Sequence, residues 1–218
     1  MKNRKALLPK YSFIPIAFYL LVVPSYFLSR LATEGRFHFD ASLPFDAKIP
    51  FIPIFIWIYI LAYLQWFVGY YTISLKSELS CKKYFGAEIL GKLICVLIFI
   101  LVPTTINRPE LNGSGITYAL MNWMYSIDSP DNLFPSIHCM ESWLVARGIM
   151  EIKAPKPAIV LMWIFSILVF MSVVFVKQHV FIDIFGGILV AELGIYLSRK
   201  LNMPGLFTAI EKKLHITK

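Results

Sequence analysis

Charge is what this chain has least of: Asp, Glu, Lys and Arg make up 16% of its 218 residues, against 58% hydrophobic. A soluble domain carries about 25% charged and about 45–50% apolar residues, so that class is excluded. The apolar residues are gathered in runs, which is the pattern of a multi-spanning membrane protein. Acidic residues are the scarcer sign, 13 against 21 basic, giving a formal net charge of +8. The basic excess lies in short clusters between apolar runs, not along one stripe. That excludes a nucleic-acid groove and fits membrane topology and anionic lipid. Cysteine is nearly missing too. Cys81, Cys95 and Cys139 are odd in number and lack pairing or metal spacing, which excludes a disulfide framework. Repeats and low-complexity linkers are absent as well.

What is present is six apolar runs, at 11–31, 50–73, 85–106, 136–151, 157–176 and 180–201. They predict an all-α polytopic protein of six transmembrane helices, a single membrane domain over 1–218 with a basic tail from 199. A spanning helix needs about 20 residues, so the fourth run is short and is expected to start below the headgroups, surrounded by protein. Met1-Lys2-Asn3-Arg4-Lys5 opens like a signal peptide. The run behind it is long, contains Pro24 and lacks a small-residue cleavage site, so it is read as a retained span.

Basic residues set the expected orientation. Fourteen fall on the side of the two termini, including Lys76, Lys82 and Lys83, with Cys81 read as part of the same basic loop. Five fall on the other: Arg30, Arg36, Lys48, Arg108 and Lys177. The positive-inside rule then puts both termini in the cytoplasm of a plasma membrane and the 107–135 loop outside. Within that loop, residues 116–125 are apolar and aromatic but too short to span, so they are read as a helix lying in the interface.

Three stretches carry chemistry. Pro135-Ser136-Ile137-His138 reads as a serine-capped helix start, with unpaired N–H groups and a positive dipole end. Such a terminus binds phosphate, and His138 reaches the same anion. Taken alone, an ordinary capped helix with a surface histidine explains it equally well. His179 and Asp183 stand at i and i+4, which predicts a carboxylate accepting the imidazole N–H on one helix face. That contact would fix the tautomer and make the other ring nitrogen nucleophilic, although a purely structural hydrogen bond has the same spacing. Arg108 heads the loop. Glu88 and Lys92 are read as neutralising each other, and Glu141, three residues after His138 on the same face, either as supporting that histidine or equally as paired with an unidentified cation. His38 and His215 are read as solvated, and Glu192 as outside the site.

Arg108-Pro109, Pro135-Ser136-Ile137-His138 and Ser172…His179…Asp183, in this order, resemble the type 2 phosphatidic acid phosphatase superfamily. That superfamily also holds vanadium haloperoxidases and relatives among the sphingolipid synthases. Its signatures are Lys-x6-Arg-Pro, Pro-Ser-Gly-His and Ser-Arg-x5-His-x3-Asp, and the resemblance covers roughly 101–187. Leu101, Ile137 and Val173 replace the first lysine, the glycine and the arginine, so two cations of the phosphate cradle are missing. Lys177 is a candidate replacement.

The resemblance implies a metal-independent enzyme without cofactor, acting on a lipid phosphate among membrane lipids. His179 would attack phosphorus, Asp183 stabilise its imidazolium, and His138 protonate the leaving oxygen. Arg108, Ser136, Ile137 at the helix start, and Lys177 would bind the phosphoryl oxygens. Hydrolysis of a lipid monoester or pyrophosphate on the outer face is the leading expectation. A transferase moving a head group onto a lipid alcohol is the first alternative, and a non-catalytic lipid-binding or transport protein the second.

Overall fold

The computed structural model describes residues 8–216, so Lys2, Arg4, Lys5 and Lys218 lie outside the described residues. The first predicted span is one stretch bent in the middle. Helix α1 (Phe13–Val22) gives way to α2 (Ser25–Thr33) at Pro24, which has no N–H to continue the ladder. Then come α3 (Ile56–Lys76), α4 (Glu78–Leu101), α5 (Ile116–Ile127) and α6 (Ile137–Glu151). The chain closes with α7 (Lys156–Phe175), α8 (Phe181–Lys200) and α9 (Met203–Lys213).

Among the described residues, five helical stretches are long and apolar enough to cross a membrane: 10–33, 53–76, 78–101, 156–175 and 181–200. The protein is therefore an all-α polytopic membrane protein. Helix α6, at 15 residues, is shorter than a span, as its short apolar run predicts. It compensates by position. It packs against α3, α4, α7 and α8, so protein surrounds it and its short length exposes little backbone to lipid.

Helix α8 comes closest to its neighbours at two glycines. A side chain at Gly194 would press on the carbonyl of Ala87 in α4, at 2.6 Å from its oxygen. One at Gly187 would overlap the carbonyl oxygen of Ser136 at the start of α6 and stand 2.9 Å from the Cys139 Cβ. Small residues of this kind let membrane helices meet backbone to backbone. Here they seat the start of α6 against α8.

At the end where Tyr11 and α9 meet α3 and α4, the expected basic loop is absent. Ser77 alone separates α3 from α4, and its hydroxyl caps α4 by accepting the Ser80 N–H at 3.1 Å. The helix begins at Glu78, seven residues before the expected start at 85, so Cys81, Lys82 and Lys83 lie in its first turns and are buried. The lysines tolerate burial because each has a carboxylate partner. Lys82 Nζ is 2.6 Å from Glu78 and 2.7 Å from Glu211, and Lys83 pairs with Glu151. The stretch read as a basic tail also folds, as α9. It buries Phe207 against Ile14, Ile89 and Met203.

At the opposite end, two long connections meet over the helix ends. Phe39–Asp40 (β1) and Thr104–Thr105 (β2) form a two-residue parallel pairing, with Phe39 opposite Thr104. The first connection also reaches the last turn. The Asp46 carboxylate accepts the Phe181 N–H at 2.9 Å, at the start of α8. The second connection carries α5, the helix expected in the interface.

Candidate functional site

The site is assembled where the starts of α6 and α8 meet. The α6 start is built from Ser136, fully buried, whose Oγ accepts the Cys139 N–H at 3.4 Å and whose own N–H donates to the Asp183 carbonyl at 3.1 Å. His138, the second helical residue, is thereby carried into the bundle. Its ring stacks on Tyr59 at 4.1 Å between centroids and abuts Trp66 at 5.1 Å and Tyr63 at 5.6 Å. His138 Nε2 has no hydrogen-bond partner in this aromatic box.

His179 does not lie on a helix. It sits in the turn before α8, whose first residue is Phe181, and Asp183 is the third residue of that helix. The i, i+4 contact forms all the same, through cap geometry and not along a helical face. Asp183 Oδ2 accepts the His179 Nδ1–H at 3.0 Å and the Val180 N–H at 3.1 Å. With the carboxylate on Nδ1, the lone pair of the neutral ring is on Nε2. The turn itself is held firmly. The Val173 carbonyl accepts both the Gln178 and His179 amides at 3.0 Å, and Tyr125 donates its hydroxyl to the Val176 carbonyl at 2.8 Å. The His138 and His179 rings lie 6.4 Å apart, close enough to flank one tetrahedral group.

Arg108 approaches from the second connection. Nη1 donates to the Asp128 carbonyl at 2.6 Å, Nη2 donates to Gln178 Oε1, and the guanidinium lies 4.4 Å from the centroid of the Tyr125 ring. Burial pulls its pKa down and the Asp128 charge pushes back, but a guanidinium stays ionised at such a site. Burial likewise pushes the Tyr125 phenol up to about 12, so it remains a neutral donor. Lys177, at φ +53, turns toward the first connection. Its Nζ donates to the carbonyls of Ile49 at 2.7 Å and Asp46 at 3.3 Å, and burial lowers its pKa.

Two cavities share His179. One, about 610 Å³, lies under the first connection and is lined by Arg108, Lys177 and Asp46 among others. The other, about 290 Å³, lies among α1, α2, α3, α4 and α6 and holds His138, Gln178, Tyr63, Trp66, Lys92 and Glu141. The structure thus brings His138, His179, Asp183, Ser136 and Ile137 together, with Arg108 beside them and Lys177 at the edge of the first cavity. Leu101 is exposed at the end of α4, and Val173 is buried in an apolar cluster, so neither position offers a polar group. Ser172 turns back on its own helix, its hydroxyl donating to Val169 O at 2.7 Å.

Several residues here escaped sequence reasoning. The cation beside Glu141 is Lys92, which is 2.8 Å from Glu88 and also pairs with Glu141. Glu192 is engaged outside the site, with Arg147 at 2.9 Å and the Trp143 indole at 2.7 Å. Asp46 lies far from the motifs in sequence, and neither it nor Asp128, seven residues before Pro135, carried a signal. Gln178 did carry one, as an amide between Lys177 and His179 at the end of an apolar run.

A helical membrane scaffold thus carries a carboxylate-bound histidine facing a second histidine at a capped helix start. The family model described as PAP2 superfamily matches residues 111–203, and that match supports the resemblance to the type 2 phosphatidic acid phosphatase superfamily over this stretch. The match takes in the second and third motifs and begins after Arg108-Pro109. No curated protein and no solved structure matches the chain.

Proposed function

We propose that the protein is a lipid phosphatase that hydrolyses a lipid phosphate monoester or pyrophosphate through a phosphohistidine. The observation that carries this reading is the His179–Asp183 contact at 3.0 Å, with unpartnered His138 Nε2 across the gap. In the first step His179 Nε2 forms a bond to phosphorus while the bond to the leaving oxygen breaks, and protonated His138 gives that oxygen its proton. Asp183 stabilises the positive charge that develops on His179. In the second step water attacks phosphorus, His138 takes the water's proton, and the P–N bond breaks to release phosphate. Arg108 and the first amides of α6 supply positive potential for the phosphoryl oxygens. Lys177, edging the first cavity, serves the approach of the anion. By the basic-residue asymmetry the site opens to the outer face of the membrane.

A transferase is favoured by one observation, the aromatic second cavity beside His138. It offers a lipid alcohol a place from which to attack the same intermediate. Purified protein incubated with phosphatidate and with a lipid pyrophosphate, following free phosphate and lipid products together, separates the two. Phosphate release supports hydrolysis. A head group moved to a lipid alcohol without phosphate release would replace it with transfer, and neither product would overturn both.

A further inference from the structure

The family's third signature carries an arginine where this chain has the buried, apolar Val173, and among the described residues the cations lining the two cavities, Arg108, Lys177 and Lys92, are each engaged by protein groups. Lys177 Nζ is directed at the carbonyls of Ile49 and Asp46. Lys92 is held between Glu88 and Glu141. A polar group there with an unused donor is Gln178. Its side chain is 1% exposed and lines the same cavity as His138 and His179. Gln178 Oε1 accepts the Arg108 Nη2–H, whereas Nε2 has no partner.

Amide oxygen and nitrogen are usually hard to tell apart, but an arginine offers only donors, so the oxygen must face Arg108. The NH2 group is then directed away from it. A buried amide donor without a protein partner is costly unless a ligand or an ordered water completes it.

We infer that Gln178 donates a hydrogen bond to a phosphoryl oxygen of the substrate, and that Arg108 is the positioning residue that aims it. The inference rests on the reading of His179 as the nucleophile. It adds a recognition element that a neutral side chain supplies in place of the absent cation. It also gives Arg108 a second task, because one guanidinium nitrogen orients the amide while the rest of the group still contributes its field.

Two variants separate donation from mere support. Gln178→Glu keeps an acceptor for Arg108 and so preserves the structural contact, but it loses the donor. Gln178→Met keeps the volume and loses both. With the full-length protein in detergent, turnover of a lipid monoester, inhibition by vanadate and the thermal midpoint are followed together. Both variants are expected to lose about 100-fold or more in turnover, the scale of removing one oxyanion donor. Vanadate inhibition should weaken in parallel. Gln178→Glu should keep its thermal midpoint. Wild-type turnover and vanadate inhibition in Gln178→Glu would overturn the inference while leaving the phosphoryl-transfer reading intact. Wild-type protein that turns over no lipid phosphate and ignores vanadate would overturn that reading, and this inference with it.

Discussion

Gly187 and Ser136 meet so closely that a single methyl group on the glycine would overlap the serine's carbonyl oxygen. The start of α6 is therefore positioned by the absence of a side chain on α8. Gly187→Ala must push the two helix starts apart, and overpacking of this kind costs about 1–3 kcal/mol. The thermal midpoint in detergent should fall. Because His138 and Asp183 are on the two displaced elements, turnover should fall further than stability alone explains. Unchanged turnover would mean that the α6–α8 spacing is not critical to the site.

His179→Ala is expected to abolish lipid phosphate turnover. Asp183→Asn should leave a small remainder, since an imidazolium deprived of its carboxylate costs on the order of 10⁴-fold in a serine-protease triad. Asp183 here also accepts the Val180 N–H, so the asparagine variant needs its thermal midpoint measured alongside its rate. Equal rates for wild type and His179→Ala would remove the histidine from the chemistry.

Lys92 serves two buried carboxylates, and Tyr70 completes the group by donating to Glu88 at 2.7 Å. Lys92→Met leaves both acids without their cation. Breaking a buried pair from one side costs about 3–5 kcal/mol. Adding Glu141→Gln to Lys92→Met should recover part of that loss, because one stranded charge is removed. The comparison of the two thermal midpoints measures the coupling, and no recovery would place the instability elsewhere.

Orientation is testable by labelling, with one adjustment that the fold dictates. Cys81, Cys95 and Cys139 are all buried and should give little background. A cysteine introduced at exposed Asn112 should react with an impermeant thiol reagent on intact cells. One at exposed Lys212 should react only after permeabilisation. The reverse pattern would turn the site to the cytoplasmic leaflet.

The helices were legible because lipid demands long apolar runs, and those are visible residue by residue. Their ends were less so. The start of α4 was placed too late because Lys82 and Lys83 read as loop residues, and their partners Glu211 and Glu151 are distant in sequence. The basic tail concealed α9 for a related reason: its charged face drew attention away from Phe207. In the site, the spacing of His179 and Asp183 was visible, but the geometry behind it was not, since an i, i+4 pair forms equally through a helix cap. Arg108 was visible as a charge in the loop. Its engagement with Asp128, Gln178 and Tyr125 was not, because those contacts depend on how the 107–135 segment folds back on itself.

The cavity beside His138 has one further consequence. Two of its wall residues, Phe27 on α2 and Tyr63 on α3, both in helical stretches apolar enough to cross a membrane, are about half exposed. Under the proposed function, a lipid entering there would arrive sideways, by diffusion within the two-dimensional bilayer, and not from bulk water. The rate should therefore follow the mole fraction of substrate in the mixed micelle. Diluting a fixed amount of lipid phosphate with more detergent should slow the reaction even though its molarity in the tube is unchanged.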